Sequence, residues 1–258
     1  MHKWSLFEQF ESAVRALPDK ERYDRADLLV EPLLIHREGS LEMYYAPYND
    51  CVQTGASVCI IGLTPGWAQM ELGYRVFKQA LREGRPVPEA CMRAKTAARF
   101  AGPMRTNLLR MLQELELHQA LGLPDCESLF EGGATGKLLH TTSALRYPVF
   151  AGGRNYSGSS PALLKTPCLC RFAEESVKAE LLELERRPLI VPLGRTVEAV
   201  LRRLLQSDAA AVGPCLWGFP HPSGANGHRH RQFEQAKEEM MRTIRIWRQK
   251  YSPAKEKP

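Results

Sequence analysis

The chain holds no apolar run approaching the ~18 residues that a membrane helix requires. Its start, MHKWSLFEQFESAVRAL, lacks the continuous apolar core of a secretory signal and reads as an amphipathic helix with Phe7, Phe10 and Val14 on one face. A cytoplasmic protein with no membrane partner is therefore expected. The seven cysteines are odd in number and irregular in spacing, and with no secretory signal they do not suggest a disulfide framework. The one close pair, Cys168 and Cys170 in CLC, has no Cys-x-x-Cys companion, so neither a metal nor any other cofactor is expected. A P-loop and a G-x-G-x-x-G turn are both missing, which weakens a nucleotide-processing reading. There are no internal repeats and no low-complexity segments.

What is present is an ordinary globular composition, 44% hydrophobic and 25% charged over 258 residues, enough for one large domain or two small ones. We read residues 1–250 as a single domain with an N-terminal helical region at 1–43, and 251–258 as a disordered tail. Lys and Arg number 35 against 29 Asp and Glu, a net +6 that permits a nucleic-acid partner without demanding one.

Short continuous apolar runs at 56–63 (ASVCIIGL), 136–145 (GKLLHTTSAL) and 188–194 (PLIVPLG), with CLWGFPHP near 215–222, predict four buried strands. Between them lie helical stretches with Leu72, Val76 and Ala80, then Met104, Leu108, Met111 and Leu115, then Val177, Leu181 and Leu184 on apolar stripes. A final helix over 231–250 carries Phe233, Met240, Ile244 and Trp247 inward and Arg242, Arg245 and Arg248 outward. The glycine-rich stretch RYPVFAGGRNYSG reads as a long loop, either mobile or binding. Strands alternating with helices predict an α/β fold with a three-layer α/β/α arrangement around a four-stranded, mostly parallel sheet.

In such sheets ligands bind beyond the carboxyl ends of the strands. That rule selects LTPGWAQ, TTSALRYP and HPSGANGHRH, which the fold is expected to bring to one edge. GLTPG closing the first strand and HPSGANG closing the last resemble the two signature motifs of the uracil-DNA glycosylase superfamily. LLHTTSAL falls where that family reads the base, and PLIVPLGRTV resembles its strand–glycine–helix unit. The likeness spans roughly residues 44–240. It implies a monomeric hydrolase that flips a base out of DNA and cleaves its N-glycosidic bond. The departures from the family pattern are Leu63 and Thr64, where a carboxylate or carboxamide is usual, and Thr142, with Ser143 beside it, where an Asn usually reads uracil. They point to a modified pyrimidine, such as the decorated cytosines of phage DNA, and so to a defence enzyme. Uracil repair is the alternative, and a non-catalytic binder of damaged or modified DNA is a second.

The chemistry assigns roles to particular residues. His221, fixed between Pro220 and Pro222, offers an imidazole N–H to the departing base; a loop-capping histidine is the plainer reading. Thr64 and Gln69 can position water but not deprotonate it. Asp50 and Glu71 are the nearest carboxylates in sequence, or else ordinary surface acids. Gly62 and Leu63 shape the base pocket, and Trp67 either stacks on a base or fills the core. Ser223, Gly224, Ala225, Asn226 and Gly227 let the backbone approach DNA, while His228, Arg229, Arg231, Arg146 and Arg154 are read as phosphate contacts.

Overall fold

The computed structural model describes residues 6–100 and 102–251. The helices are α1 (Phe7–Ala16), α2 (Arg25–Leu28), α3 (Trp67–Arg82), α4 (Val87–Ala98), α5 (Pro103–Glu114), α6 (Leu117–Leu121), α7 (Gly133–Gly136), α8 (Pro167–Glu183), α9 (Arg195–Ser207) and α10 (Arg229–Tyr251). The strands are β1 (Leu34–Glu38), β2 (Leu41–Tyr44), β3 (Val58–Gly62), β4 (Leu139–Ser143), β5 (Val149–Ala151), β6 (Arg154–Asn155) and β7 (Leu189–Pro192). Residues 252–258, within the stretch read as a disordered tail, lie outside the described residues. No described helix is long and apolar enough to cross a membrane. The described residues divide into two compact units, one comprising residues 6–52, 64–100 and 145–173, the other 53–63, 102–144 and 174–251.

The second unit holds a parallel sheet of order β4-β3-β7, so the mixed α/β class and the three central strands follow the sequence pattern. Every residue of β3 is buried, as a central strand covered on both faces must be. The expected fourth strand is reduced to one parallel bridge between Ile190 and Cys215, with Ile190 N–H donating to Pro214 O and Leu216 N–H to Ile190 O. Pro214 and Pro220 have no N–H to extend a ladder, and Gly218 turns the chain at φ 83°. The four-stranded parallel sheet is thus not formed as four named strands. Helix α9 buries Val197, Val200, Leu201 and Leu204. Phe233, Met240, Ile244 and Trp247 of α10 are buried, and Arg242, Arg245 and Arg248 are exposed, as the periodicity predicts.

The first unit holds an antiparallel sheet of order β1-β2-β5-β6 that the sequence reading did not include. Its first hairpin falls inside the stretch read as an N-terminal helical region, of which α1 and α2 form the earlier part. The glycine-rich stretch read as a loop contains the second hairpin, β5–β6. Gly152 and Gly153 make its turn at φ 54° and 72°, the left-handed pair that a tight hairpin demands.

Phe7, Phe10 and Val14 of α1 are buried, and Phe10 stacks on Tyr45 with centroids 4.6 Å apart. Helix α3 buries Met70, Tyr74, Phe77 and Ala80, whereas Leu72 and Val76, expected on that stripe, are half-buried. Mid-helix Gly73 admits the ring of Tyr48: a Cβ there would lie 2.2 Å from Tyr48 Cε1.

Candidate functional site

At the carboxyl edge of the parallel sheet, Gly62 and Ser143 are register partners at the ends of β3 and β4, and Ala144 N–H closes onto Gly62 O at 2.8 Å. Leu63 follows, half-buried. Side chains alternate along a strand, so His140 and Thr142 share one face of β4 and Ser143 takes the other. That alternation decides the fate of Thr142. Its hydroxyl donates to Glu180 Oε2 at 2.6 Å, and His140 Nε2 lies 3.2 Å from Glu180 Oε1. Gln53 N–H donates to His140 Nδ1 at 3.4 Å, which puts the ring proton on Nε2, facing the carboxylate. Thr142 is therefore tied to a buried carboxylate of α8, and Ser143 is the strand-end side chain on the opposite face. Sequence reasoning did not single out His140 and Glu180; the period-two pairing of residues 140 and 142 was the signal that could have found the first.

Beyond β7 the chain turns at Gly194 with φ 90° and ψ 168°, a conformation nearly closed to residues with a Cβ. Gly194 N–H donates to Phe219 O, and a Cβ at 194 would lie 3.0 Å from His221 Cβ. The glycine thus lets the histidine loop lie directly against the end of β7. Ser223 N–H donates to His221 Nδ1 at 3.2 Å, so a neutral ring carries its proton on Nε2. Burial holds the His221 pKa below its ordinary value, which keeps the ring neutral.

The rest of the loop is fastened by its own side chains. Asn107 Nδ2 donates to Pro222 O, Asn226 Nδ2 to His221 O, and Arg229 Nη1 to Ser223 O at 2.8 Å. Ser223 Oγ accepts from Ala225 N–H, and Asn226 Oδ1 from His228 N–H. Ser223, Asn226 and Arg229, read as DNA contacts, therefore serve first to shape the loop. Gly224, Ala225, Gly227, His228 and Arg231 are exposed along it. A cleft of about 640 Å³ opens beside His221, lined by Arg195, Glu198, Arg202, Asn226 and Gln232 among others. Asn107 gave no sequence signal: it is a polar residue on a helix 115 positions from its partner.

In the other unit, Thr64, Gln69, Asp50 and Glu71 are engaged in internal hydrogen bonds. Thr64 Oγ1 donates to Tyr147 O and accepts from Val149 N–H, both at 3.0 Å, so it clasps the start of β5. Gln69 bridges Gly66 N–H and Ala98 O. Asp50 is buried and accepts from Leu6 N–H and from the hydroxyls of Tyr45 and Tyr147. Glu71 accepts from Tyr23 N–H and Arg75 Nε. Trp67 is half-buried at the start of α3, where its backbone N–H donates to Asn155 Oδ1 and the Arg25 guanidinium lies 5.1 Å from its ring centroid. Arg146 is buried and Arg154 is exposed on β6.

These features define an α/β protein whose short parallel sheet presents a neutral, oriented histidine at a strand end. No protein-family profile matches the chain. It is 39% identical over 241 residues to the Bacillus subtilis (strain 168) protein named Uncharacterized protein YoxB, a match covering 93% of each chain. The chain belongs to the YoxB family.

Proposed function

We propose that the protein is a DNA glycosylase that flips a nucleotide out of the stack and hydrolyses its N-glycosidic bond, with a modified pyrimidine as substrate. Several features support the reading: the parallel sheet with Cys215 bridged beside β7, the two strand-end motifs, and the exposed, glycine-containing loop after His221. One observation carries it. His221 is neutral, with Nδ1 occupied by Ser223 N–H, so that Nε2–H is the donor left for a ligand. A pyrimidine leaving C1′ departs as an anion, and a fixed N–H aimed at its oxygen stabilises that charge, typically by ~3–4 kcal/mol.

In this mechanism the C1′–N bond breaks with its electron pair going to the base. Water adds to C1′ and gives its proton to the base or to solvent. Leaving-group stabilisation is the main contribution, because Thr64, Gln69 and Asp50 are already engaged in structural hydrogen bonds. That same engagement favours a second reading, a non-catalytic binder of modified DNA.

The test is base release. The protein is incubated with a uracil-containing duplex, unmodified DNA, and DNA carrying hydroxymethylated or glucosylated cytosine, and free base and abasic sites are measured by mass spectrometry. Release from modified DNA alone, lost in His221→Ala, is the expected result. Release from uracil DNA would assign the enzyme to uracil repair. DNA binding without any release would establish the binder.

A further inference from the structure

The first unit contains a cluster of side chains that the proposed glycosylase chemistry does not use. On β1, His36 and Glu38 are two positions apart and so share a face. The β1–β2 register slips between Leu34 and His36, a bulge of the kind that re-aims a side chain. Cys168 is the second residue of α8. One ligand atom from each of His36, Glu38 and Cys168 lies within 4.8 Å of the other two.

His36 Nε2 is shielded from solvent, has no hydrogen-bond partner among the described residues, and sits 3.7 Å from Glu38 Oε2. Phe172, one turn along α8 from Cys168, meets the His36 ring edge-on with centroids 5.5 Å apart and fixes its orientation. An unsatisfied, oriented imidazole nitrogen facing a carboxylate and a thiol is costly unless something binds between them.

We propose that His36, Glu38 and Cys168 bind one Zn²⁺-class divalent cation through nitrogen, oxygen and sulfur, with solvent in the fourth position. Ligand bonds of ~2.0–2.3 Å around a tetrahedral ion separate the ligand atoms by roughly 3.3–3.8 Å. The His–Glu pair is already at that spacing, and the exposed Glu38 carboxylate, which accepts a hydrogen bond from the Cys168 thiol, would exchange that contact for the ion. The mixed nitrogen and sulfur donors select zinc-like ions over magnesium or calcium. On binding, the Cys168 S–H bond breaks, its proton goes to solvent, and the S–metal bond forms. The ion would pin β1 to the start of α8. Cys170, its neighbour in CLC, is buried and is not part of the set.

The test titrates the full-length, reduced, metal-free protein with Co²⁺ and follows its spectrum. One equivalent is expected to give a thiolate-to-cobalt charge-transfer band and the visible bands of a tetrahedral ion, both erased by Zn²⁺. Cys168→Ser should lose the charge-transfer band, His36→Ala should weaken Co²⁺ binding and alter the visible bands, Cys170→Ser should keep both, and Zn²⁺ should raise Tm for the parent but not for Cys168→Ser. All three cluster positions are at least partly exposed, so these variants are expected to keep the parent's circular dichroism. Absence of the band in the parent, or its survival in Cys168→Ser, would overturn the site.

Discussion

Gly194 shows how one backbone angle sets a side chain on the far side of α9 in sequence. Its φ of 90° with ψ of 168° is strained for any residue bearing a Cβ, by about 1–3 kcal/mol. The nearest atom such a Cβ would meet is His221 Cβ at 3.0 Å. Gly194→Ala is therefore expected to lower stability by that amount in urea denaturation and also to displace the histidine. A stability loss with base release unchanged would mean that His221 does not depend on this approach. His221→Ala should leave the fold intact and slow base release by about 10²–10³-fold, the usual cost of one oxyanion donor.

The same histidine predicts a pH response. Its folded pKa lies below the ordinary 6.5, so the unfolded chain takes up the proton first on acidification. The stability it contributes is whole above the unfolded value and is lost as pH falls from ~6.5 toward the folded one. His221→Asn cannot titrate, so its Tm should fall less than the parent's over that interval. Equal falls in the two proteins would show that burial of this ring does not set the slope.

At the scale of elements, continuous apolar runs and helical stripes were enough to locate β3, β4, β7 and the long helices, because burial on both faces leaves a strong sequence signal. The β1–β2 hairpin lacks such a signal because β1 is half-buried to exposed along its length, which leaves no continuous apolar run. The Gly-Gly turn of β5–β6 is visible in the sequence, but its flanking strands of three and two residues are too short to add an alternating pattern. His221 can be nominated from a local motif, whereas the hydrogen bonds that engage Thr64 and Thr142 are not readable locally, because their partners lie 83 and 38 positions away.

Gly73 sets two element-scale effects against each other. Replacing a mid-helix glycine with alanine gains about 1 kcal/mol of helix propensity. Here the new Cβ would meet the Tyr48 ring at 2.2 Å, and both residues are buried, so overpacking of about 1–3 kcal/mol or more wins. Gly73→Ala should lower Tm; a rise would show that the Tyr48 ring can move aside without cost.

For the whole molecule, a net charge of +6 suits a polyanion but decides nothing by itself, since individual basic side chains such as Arg202, Arg203 and Lys237 are paired with acids within the protein. What decides is how many phosphates the protein neutralises, and salt dependence measures that number. Arg229 is engaged at Ser223 O and Arg146 is buried, whereas Arg195 beside the cleft and Arg231 after the histidine loop are exposed. With these two phosphate contacts the slope of log Kobs against log salt is roughly −1.8, so duplex affinity should fall ~12-fold between about 50 and 200 mM salt. Arg231→Ala should flatten the slope by about 0.9, leaving a ~3.5-fold fall over the same range, and should do so equally for every DNA sequence, because a phosphate contact carries no base information. A slope near zero in the parent would remove DNA as the partner. A slope unchanged in Arg231→Ala would move the contact away from the histidine loop while leaving the rest of the reading standing.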